Sequence, residues 1–184
     1  ECSQPDLPKQ KEELPSMEEI YSRLQSVNIL IVEDIELNQK ILLMQLEKLK
    51  LKADVVRNGK HALRAFKSKD YQLIFMDCQM PGMDGYEASQ QIRLLEAAPN
   101  YPKKPVFITA MTANVEEEDV AKCFQAGINY YLSKPLRLED VEKFFRYFVS
   151  RKSDAPPHPS APGRSATSKT APDAQEVPKH PAPL

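Results

Sequence analysis

Residues 73–85 read LIFMDCQMPGMDG. Leu73, Ile74, Phe75 and Met76 form a continuous apolar run, the pattern of a strand buried on both faces, and the run ends at once in Asp77. Met80 to Gly85 then make a turn, because Pro81 fixes its own φ and the glycines admit φ > 0. Asp77 therefore stands where a buried strand opens into a loop. In open parallel sheets that carboxyl edge is where ligands gather. Alone, an Asp after a strand is about as often a plain turn residue, so the flanking sequence has to decide.

Toward the N-terminus, Gly59 to Ser68 reads as a helix with Ala62, Leu63 and Phe66 inward, and Ala53 to Val56 as a short strand. Before these, Leu37, Ile41 and Met44, with Leu42, Leu46 and Leu49, predict a helix with a wide apolar face. Val27 to Val32 is a strand that ends in Glu33 and Asp34. Ser16 and Glu19 have capping-box spacing, and Met17, Ile20, Tyr21 and Leu24 line one side of a short lead-in helix within 16–26. Residues 1–15 mix Pro5, Pro8 and Pro15 with Lys and Glu, without period, and read as a linker.

Toward the C-terminus, Tyr86 to Glu96 is helical and is ended by Pro99, Asn100 and Pro102. Pro105 opens a strand over Val106 to Ala110. Asn114 or Thr112 then caps a helix whose first turn, Glu116 to Asp119, suits the positive end of a helix dipole, and Gly127 stops it. Asn129 to Leu132 is a fifth strand. Leu138, Val141, Phe145, Phe148 and Val149 form the inward stripe of a last helix. Five strand and helix pairs in strict alternation predict an α/β fold, a doubly wound five-stranded parallel sheet with helices on both faces and right-handed crossovers. The organised domain spans 27–151. Residues 152–184 hold eight of the 16 prolines and no aromatic residue, so a disordered Pro-rich tail is expected.

With 184 residues, 41% of them hydrophobic, the chain suits one domain plus flanking segments. A net charge of -1 gives no support for nucleic acid or an anionic membrane as an electrostatic partner. Cys2, Cys78 and Cys123 are odd in number and scattered, which argues against a disulfide framework or a zinc site and fits the cytoplasm. No apolar run approaches the roughly 20 residues of a membrane helix, and no signal peptide is visible. A first residue of Glu1 rather than Met suggests a fragment of a longer protein.

In such a sheet the strand ends come together. The first strand ends in Glu33 and Asp34, the third in Asp77, the fourth runs into Thr112, and the fifth into Lys134 and Pro135. Three gathered carboxylates repel one another and need a cation, and oxygen ligands without His or Cys select a hard ion such as Mg²⁺. Carboxylates, Mg²⁺, a lysine and a hydroxyl are the parts that stabilise a phosphoryl group in transfer.

ILIVEDIELNQ, LIFMDCQMPGMDGYEA, FITAMTAN and AGINYYLSKPL resemble, in order and spacing, the receiver (response-regulator) domain of two-component signalling. VEDIELNQ and MDCQMPGMDGYEA are most similar to receivers fused to hybrid sensor histidine kinases. The resemblance covers about residues 27 to 150. It implies a flavodoxin-like (βα)5 fold with strand order 2-1-3-4-5. It makes Asp77 the phosphoacceptor, with Mg²⁺ held by Asp34, Asp77, Glu33 through water, and the backbone carbonyl of Gln79. Lys134 would pair with Asp77 and then with phosphoryl oxygens. Thr112 would be the switching hydroxyl and Tyr131 the coupled aromatic, and the Lys134 to Pro135 bond is expected to be cis. Gln79 and Asn114 occupy positions that tune phosphate lifetime in the family.

The implied partner is a histidine kinase or a histidine phosphotransfer domain; the domain itself is expected in the cytoplasm, and the resemblance is compatible with a membrane-anchored parent protein. As an enzyme the domain would be marginal: it would phosphorylate itself from a phospho-donor, and kinase activity would belong to an upstream portion. A non-phosphorylated pseudo-receiver scaffold is the rival, and it usually lacks an acid or the lysine. A flavodoxin-like cofactor binder needs a first loop rich in Gly, Ser and Thr, whereas VEDIEL would repel a phosphate. A P-loop nucleotidase lacks its GxxxxGK[ST]. Tyr147 falls away from the inward stripe of its helix and is expected to face solvent, marking a homodimer or partner surface. Cys78 and Cys123 read as inert packing residues.

Overall fold

The computed structural model describes residues 16–113 and 116–151. In chain order they form α1 (Met17–Leu24), β1 (Ile29–Val32), α2 (Glu36–Lys48), β2 (Ala53–Val56), α3 (Gly59–Ser68) and β3 (Leu73–Asp77). There follow α4 (Gly85–Glu96), β4 (Phe107–Thr112), α5 (Glu117–Gln125), β5 (Tyr130–Ser133) and α6 (Leu138–Ser150). The five strands are all parallel, in the order β2-β1-β3-β4-β5. β1, β3 and β4 are buried at every residue, which is why they read as continuous apolar runs rather than as alternations.

The pleat divides the core into two layers. Ile29, Ile31, Leu73 and Phe75 face α1, α2 and α6, where Phe75 meets Phe144 and Phe145 edge-on. Leu30, Val32, Ile74 and Met76 face α3, α4 and α5, which supply Ala62, Phe66, Ala88, Ile92 and Cys123. Arg93 of α4 ties that second layer together, donating to the carbonyls of Gly127 and Val106 and to the side chains of Glu96 and Asn129.

Local chemistry sets most helix starts. Ser16 and Glu19 close the expected capping box on α1, and Asn58 and Asp84 cap α3 and α4 through His61 N–H and Glu87 N–H. At α5 the expectation fails. Its N-cap is Glu116, without a side-chain cap bond, and Thr112 is instead the last residue of β4. Strand pairing to β3 and β5 carries β4 two residues past its expected end at Ala110, so Thr112 is strand rather than N-cap. Asn114, the expected linker 1–15 and the expected tail 152–184 lie outside the described residues.

Two further expectations are corrected. The apolar residues of α2 lie on two sides, not one wide face. At about 100° per residue, Leu42, Leu46 and Leu49 point one way, with Gln39, and Leu37, Ile41 and Met44 point roughly the opposite way. The first set is buried, while Leu37 is 65% exposed, Met44 60%, Ile35 52% and Ile41 41%. Tyr147 does not face solvent. It is half-buried, its ring stacked on Tyr130 with centroids 4.9 Å apart and edge-on to Phe107 at 6.3 Å. α6 leans over β4 and β5, so aromatic rings from the sheet widen the buried stripe to include Phe144 and Tyr147.

α1 is part of this core, because Ile20 and Leu24 are fully buried against α6. Ile20→Ala removes a buried side chain whose site the neighbouring helix holds open, and is expected to cost about 2–5 kcal/mol. Urea denaturation of the domain with and without the substitution measures this as a lower midpoint at unchanged slope.

Candidate functional site

β1, β3, β4 and β5 run parallel, so their carboxyl ends open on one edge of the sheet, and the order reverses between β1 and β3. In this fold that reversal leaves a crevice between diverging connections. β1 leads into Glu33 and Asp34, β3 ends in Asp77, β4 ends in Thr112, and Lys134 follows β5. The side chains of Glu33, Asp34 and Asp77 each present an oxygen within 4.8 Å of the other two. Lys134 reaches both neighbouring acids, with Nζ 2.7 Å from Glu33 Oε2 and 2.9 Å from Asp77 Oδ2.

The surrounding chain holds these groups in place. Glu33 is buried, accepts from Asn38 Nδ2 at 2.8 Å, and has its carbonyl held by Gln39 Nε2 at 2.6 Å. Asp77 accepts from the Gln79 N–H at 3.2 Å. Lys134 N–H donates to the Thr112 carbonyl at 2.7 Å, and the Lys134–Pro135 peptide is cis, as expected. Gly85 is required on steric grounds, since a Cβ there would collide with the Asp77 carbonyl. Thr112 is buried at the strand end, and Tyr131 is half-buried with its ring stacked on Tyr130.

Burial drives the Asp77 carboxyl above its usual range, and the nearby Glu33 charge adds to this, against the opposing pull of Lys134. Burial also disfavours the Lys134 ammonium, but its ion pairs with Glu33 and Asp77 outweigh that and raise its pKa. Asp34 Oδ1 is buried without a hydrogen-bond partner. Three convergent carboxylates, one of them with an orphaned oxygen, are the donor set of a hard divalent cation.

The sequence-predicted Glu33, Asp34, Asp77 and Lys134 are therefore brought together, and Thr112 sits at the adjoining strand end. Sequence reasoning missed Asn38 and Gln39 as the residues that hold Glu33. Their signal was the spacing of VEDIELNQ, where one turn of helix returns an amide to the preceding strand end. It also missed that Cys78 and Cys123, 45 residues apart in the chain, are buried in the same layer of the core.

Such an arrangement defines a flavodoxin-like α/β domain with an acidic, lysine-bridged site at its topological switch point. The chain belongs to the response regulator receiver domain family, which matches residues 29–146. It is 37% identical over 128 residues to hybrid signal transduction histidine kinase K of Dictyostelium discoideum, covering 68% of this chain and 11% of the kinase. It is 38% identical over 138 residues to the response regulator mcs4 of Schizosaccharomyces pombe, covering 64% of this chain and 26% of that protein. The chain thus spans only a small part of these relatives.

Among solved structures, it is similar to the Saccharomyces cerevisiae Ssk1 receiver domain, crystallised with the histidine phosphotransfer protein Ypd1. That likeness has a TM-score of 0.60 and 38% identity, over 65% of this chain and 86% of the other. It is also similar to the receiver domain of a Pseudomonas aeruginosa sensor histidine kinase, solved with magnesium coordinated in its active-site cleft. There the TM-score is 0.59 and the identity 34%, over 68% of this chain and 98% of the other. The domain is thus a receiver of the two-component and phosphorelay type.

Because the folded protein holds the Asp77 proton more tightly than the unfolded chain does, the stability it contributes is full below the unfolded pKa, near 3.8, and is lost as pH rises through the folded value. At neutral pH and without divalent cations, Asp77→Asn is expected to melt a few degrees above the wild type. Thermal melts across pH 4 to 8 should show the difference shrinking toward the acid end.

Proposed function

We propose that this domain accepts a phosphoryl group from a phosphohistidine on Asp77, and then either relays it or alters its own surface. The observation that carries the reading is the buried Asp77 carboxylate, bridged by Lys134 at 2.9 Å and crowded by two further acids. In the transfer, an Asp77 oxygen attacks phosphorus, the P–N bond breaks, and the imidazole leaves as a neutral ring once its nitrogen is protonated. Glu33, Asp34, Asp77 and the Gln79 carbonyl would hold Mg²⁺, a reading supported by the orphaned Asp34 oxygen. Bound there, Mg²⁺ would neutralise charge on the phosphoryl oxygens.

Lys134 moves from Asp77 onto a phosphoryl oxygen. The Thr112 hydroxyl turns toward the new acceptor, and the Tyr131 ring follows into the space vacated. The change is large because phosphorylation adds about -1.5 to -2 charges at one point.

The partner is a histidine phosphotransfer protein or the equivalent kinase domain, a reading supported by the complex of the related Ssk1 receiver. Its docking surface is the outer side of α2. The exposed Leu37 and Met44 are continuous, through Ile41, with a groove formed by Met111, Pro135 and Leu136 that ends on Glu33 and Lys134. A phosphohistidine on an apolar helix surface would be delivered there straight to Asp77. The resemblance to the hybrid kinases supports a place as the C-terminal receiver of such a kinase, acting in the cytoplasm. No described helix is long and apolar enough to cross a membrane.

Incubation with acetyl phosphate and Mg²⁺ should add one phosphoryl mass to the intact protein. The gain should disappear in Asp77→Asn and slow by roughly 10²-fold in Lys134→Ala. No gain in the wild type would favour the scaffold reading. Mg²⁺ should raise the melting temperature of the wild type and leave Asp34→Ala unmoved. Leu37→Asp should weaken transfer from a phosphorylated phosphotransfer protein by about tenfold or more, with acetyl phosphate labelling unchanged.

A further inference from the structure

We propose that Gln45 of α2 is a positioning residue for Lys134: by holding the Leu136 carbonyl it fixes the segment from which the Lys134 ammonium reaches Asp77. The effect on phosphoryl acceptance rests on the reading of Asp77 as phosphoacceptor. The placement of Lys134 does not.

Asn38, Ile41 and Gln45 follow one another at helical spacings of three and four, so they form one stripe of α2. That stripe meets the chain that leaves β5. Ile41 lines one groove with Lys134, Pro135 and Leu136. Asn38 Nδ2 donates to Glu33 Oε1 at 2.8 Å, and Gln45 Nε2 donates to the Leu136 carbonyl at 2.7 Å, across 91 positions of sequence. One helix thus grips both partners of the Glu33–Lys134 pair, the acid directly and the lysine through the main chain two residues on.

The segment between the grips is short and stiff. Lys134 N–H donates to the Thr112 carbonyl at 2.7 Å, Leu136 is held by Gln45, and Pro135 between them has its φ fixed by its ring. With both flanks pinned, the lysine leaves the main chain in a set direction and places Nζ 2.9 Å from Asp77 Oδ2. Without the Gln45 bond only the Thr112 side is held, and the ammonium samples positions away from Asp77. A group that must meet a phosphoryl oxygen during transfer loses rate when its base is free to shift.

The amide of Gln45 points to the same role. Its Oε1 is buried and finds no hydrogen-bond partner among the described residues. Burying that oxygen costs stability, and a methionine of similar length would fill the space without it. The compensating contact is the bond from Nε2, and it goes to the backbone of the segment that carries Lys134.

The test compares the full chain with Gln45→Met and with Gln45→Glu, whose side chain keeps the length and, when ionised, has no proton to give the carbonyl. Acceptance from acetyl phosphate with Mg²⁺ is expected to slow about tenfold in both, with melting temperatures close to that of the wild type. In a Lys134→Ala background, Gln45→Met should change the rate by less than about twofold, because the residue acts through the lysine. Acetylation of Lys134 by acetic anhydride, followed by peptide mass mapping, should be about threefold faster in Gln45→Met, with the other lysines unchanged. A wild-type acceptance rate in Gln45→Met, or an equal slowing with and without Lys134, overturns the proposal. So does a large loss of melting temperature in both variants, since the bond would then hold the fold rather than the lysine. If the wild type takes up no phosphate, the phosphoacceptor reading fails, and the acetylation rate still decides whether Gln45 places Lys134, an unchanged rate overturning it.

Discussion

Three carboxylates meet one ammonium at the edge of this sheet, and the rest of the structure is arranged to make that tolerable. Glu33 and Asp77 are both buried, and Lys134 bridges them from just beyond β5, a strand that neighbours neither β1 nor β3. Removing the Lys134 ammonium, which leaves two buried carboxylates without a counter-charge, would cost about 3–5 kcal/mol, far more than a surface pair contributes. Attraction still does not offset the cost of burial, since Asp77 stays above its usual carboxyl range, and an oxygen of Asp34 finds no partner. An acidic site held in this deficit has the donor chemistry of a divalent-cation site.

The two layers of the core serve this edge differently. On one side α2 is packed through Leu42 and Leu46 and leaves Leu37 and Met44 in water, so the helix that holds Glu33 through Asn38 and Gln39 also presents an apolar surface beside the site. On the other side α3, α4 and α5 cover the sheet, and Cys78 and Cys123 are buried inside that layer.

Much of this was legible in the primary structure, for reasons that can be named. Strands buried on both faces need continuous apolar runs, so β1, β3 and β4 announced themselves, and alternation with helices left a parallel sheet as the only compact arrangement. Ser16 marked a helix start through its own side chain. The errors fell where tertiary packing overrides local pattern. The apolar residues of α2 could not say which of them would meet the sheet. The solvent-facing reading of Tyr147 assumed a narrow buried stripe, but Phe107 and Tyr130 rise from the sheet to cover it. Thr112 looked like a cap because nothing local records that β4 continues through pairing.

By itself, then, the order of residues determined the parallel sheet, the family, and the set of acids, lysine and hydroxyl at the strand ends, because each depends on periodicity or on short-range spacing. Only the tertiary structure decided that Lys134 spans Glu33 and Asp77, that Asp34 keeps an unpartnered oxygen, that α2 turns half its apolar residues outward, and that two distant cysteines are buried in one layer. Those are matters of where separate segments come to rest against one another, and packing energy is shared among segments that no local stretch contains.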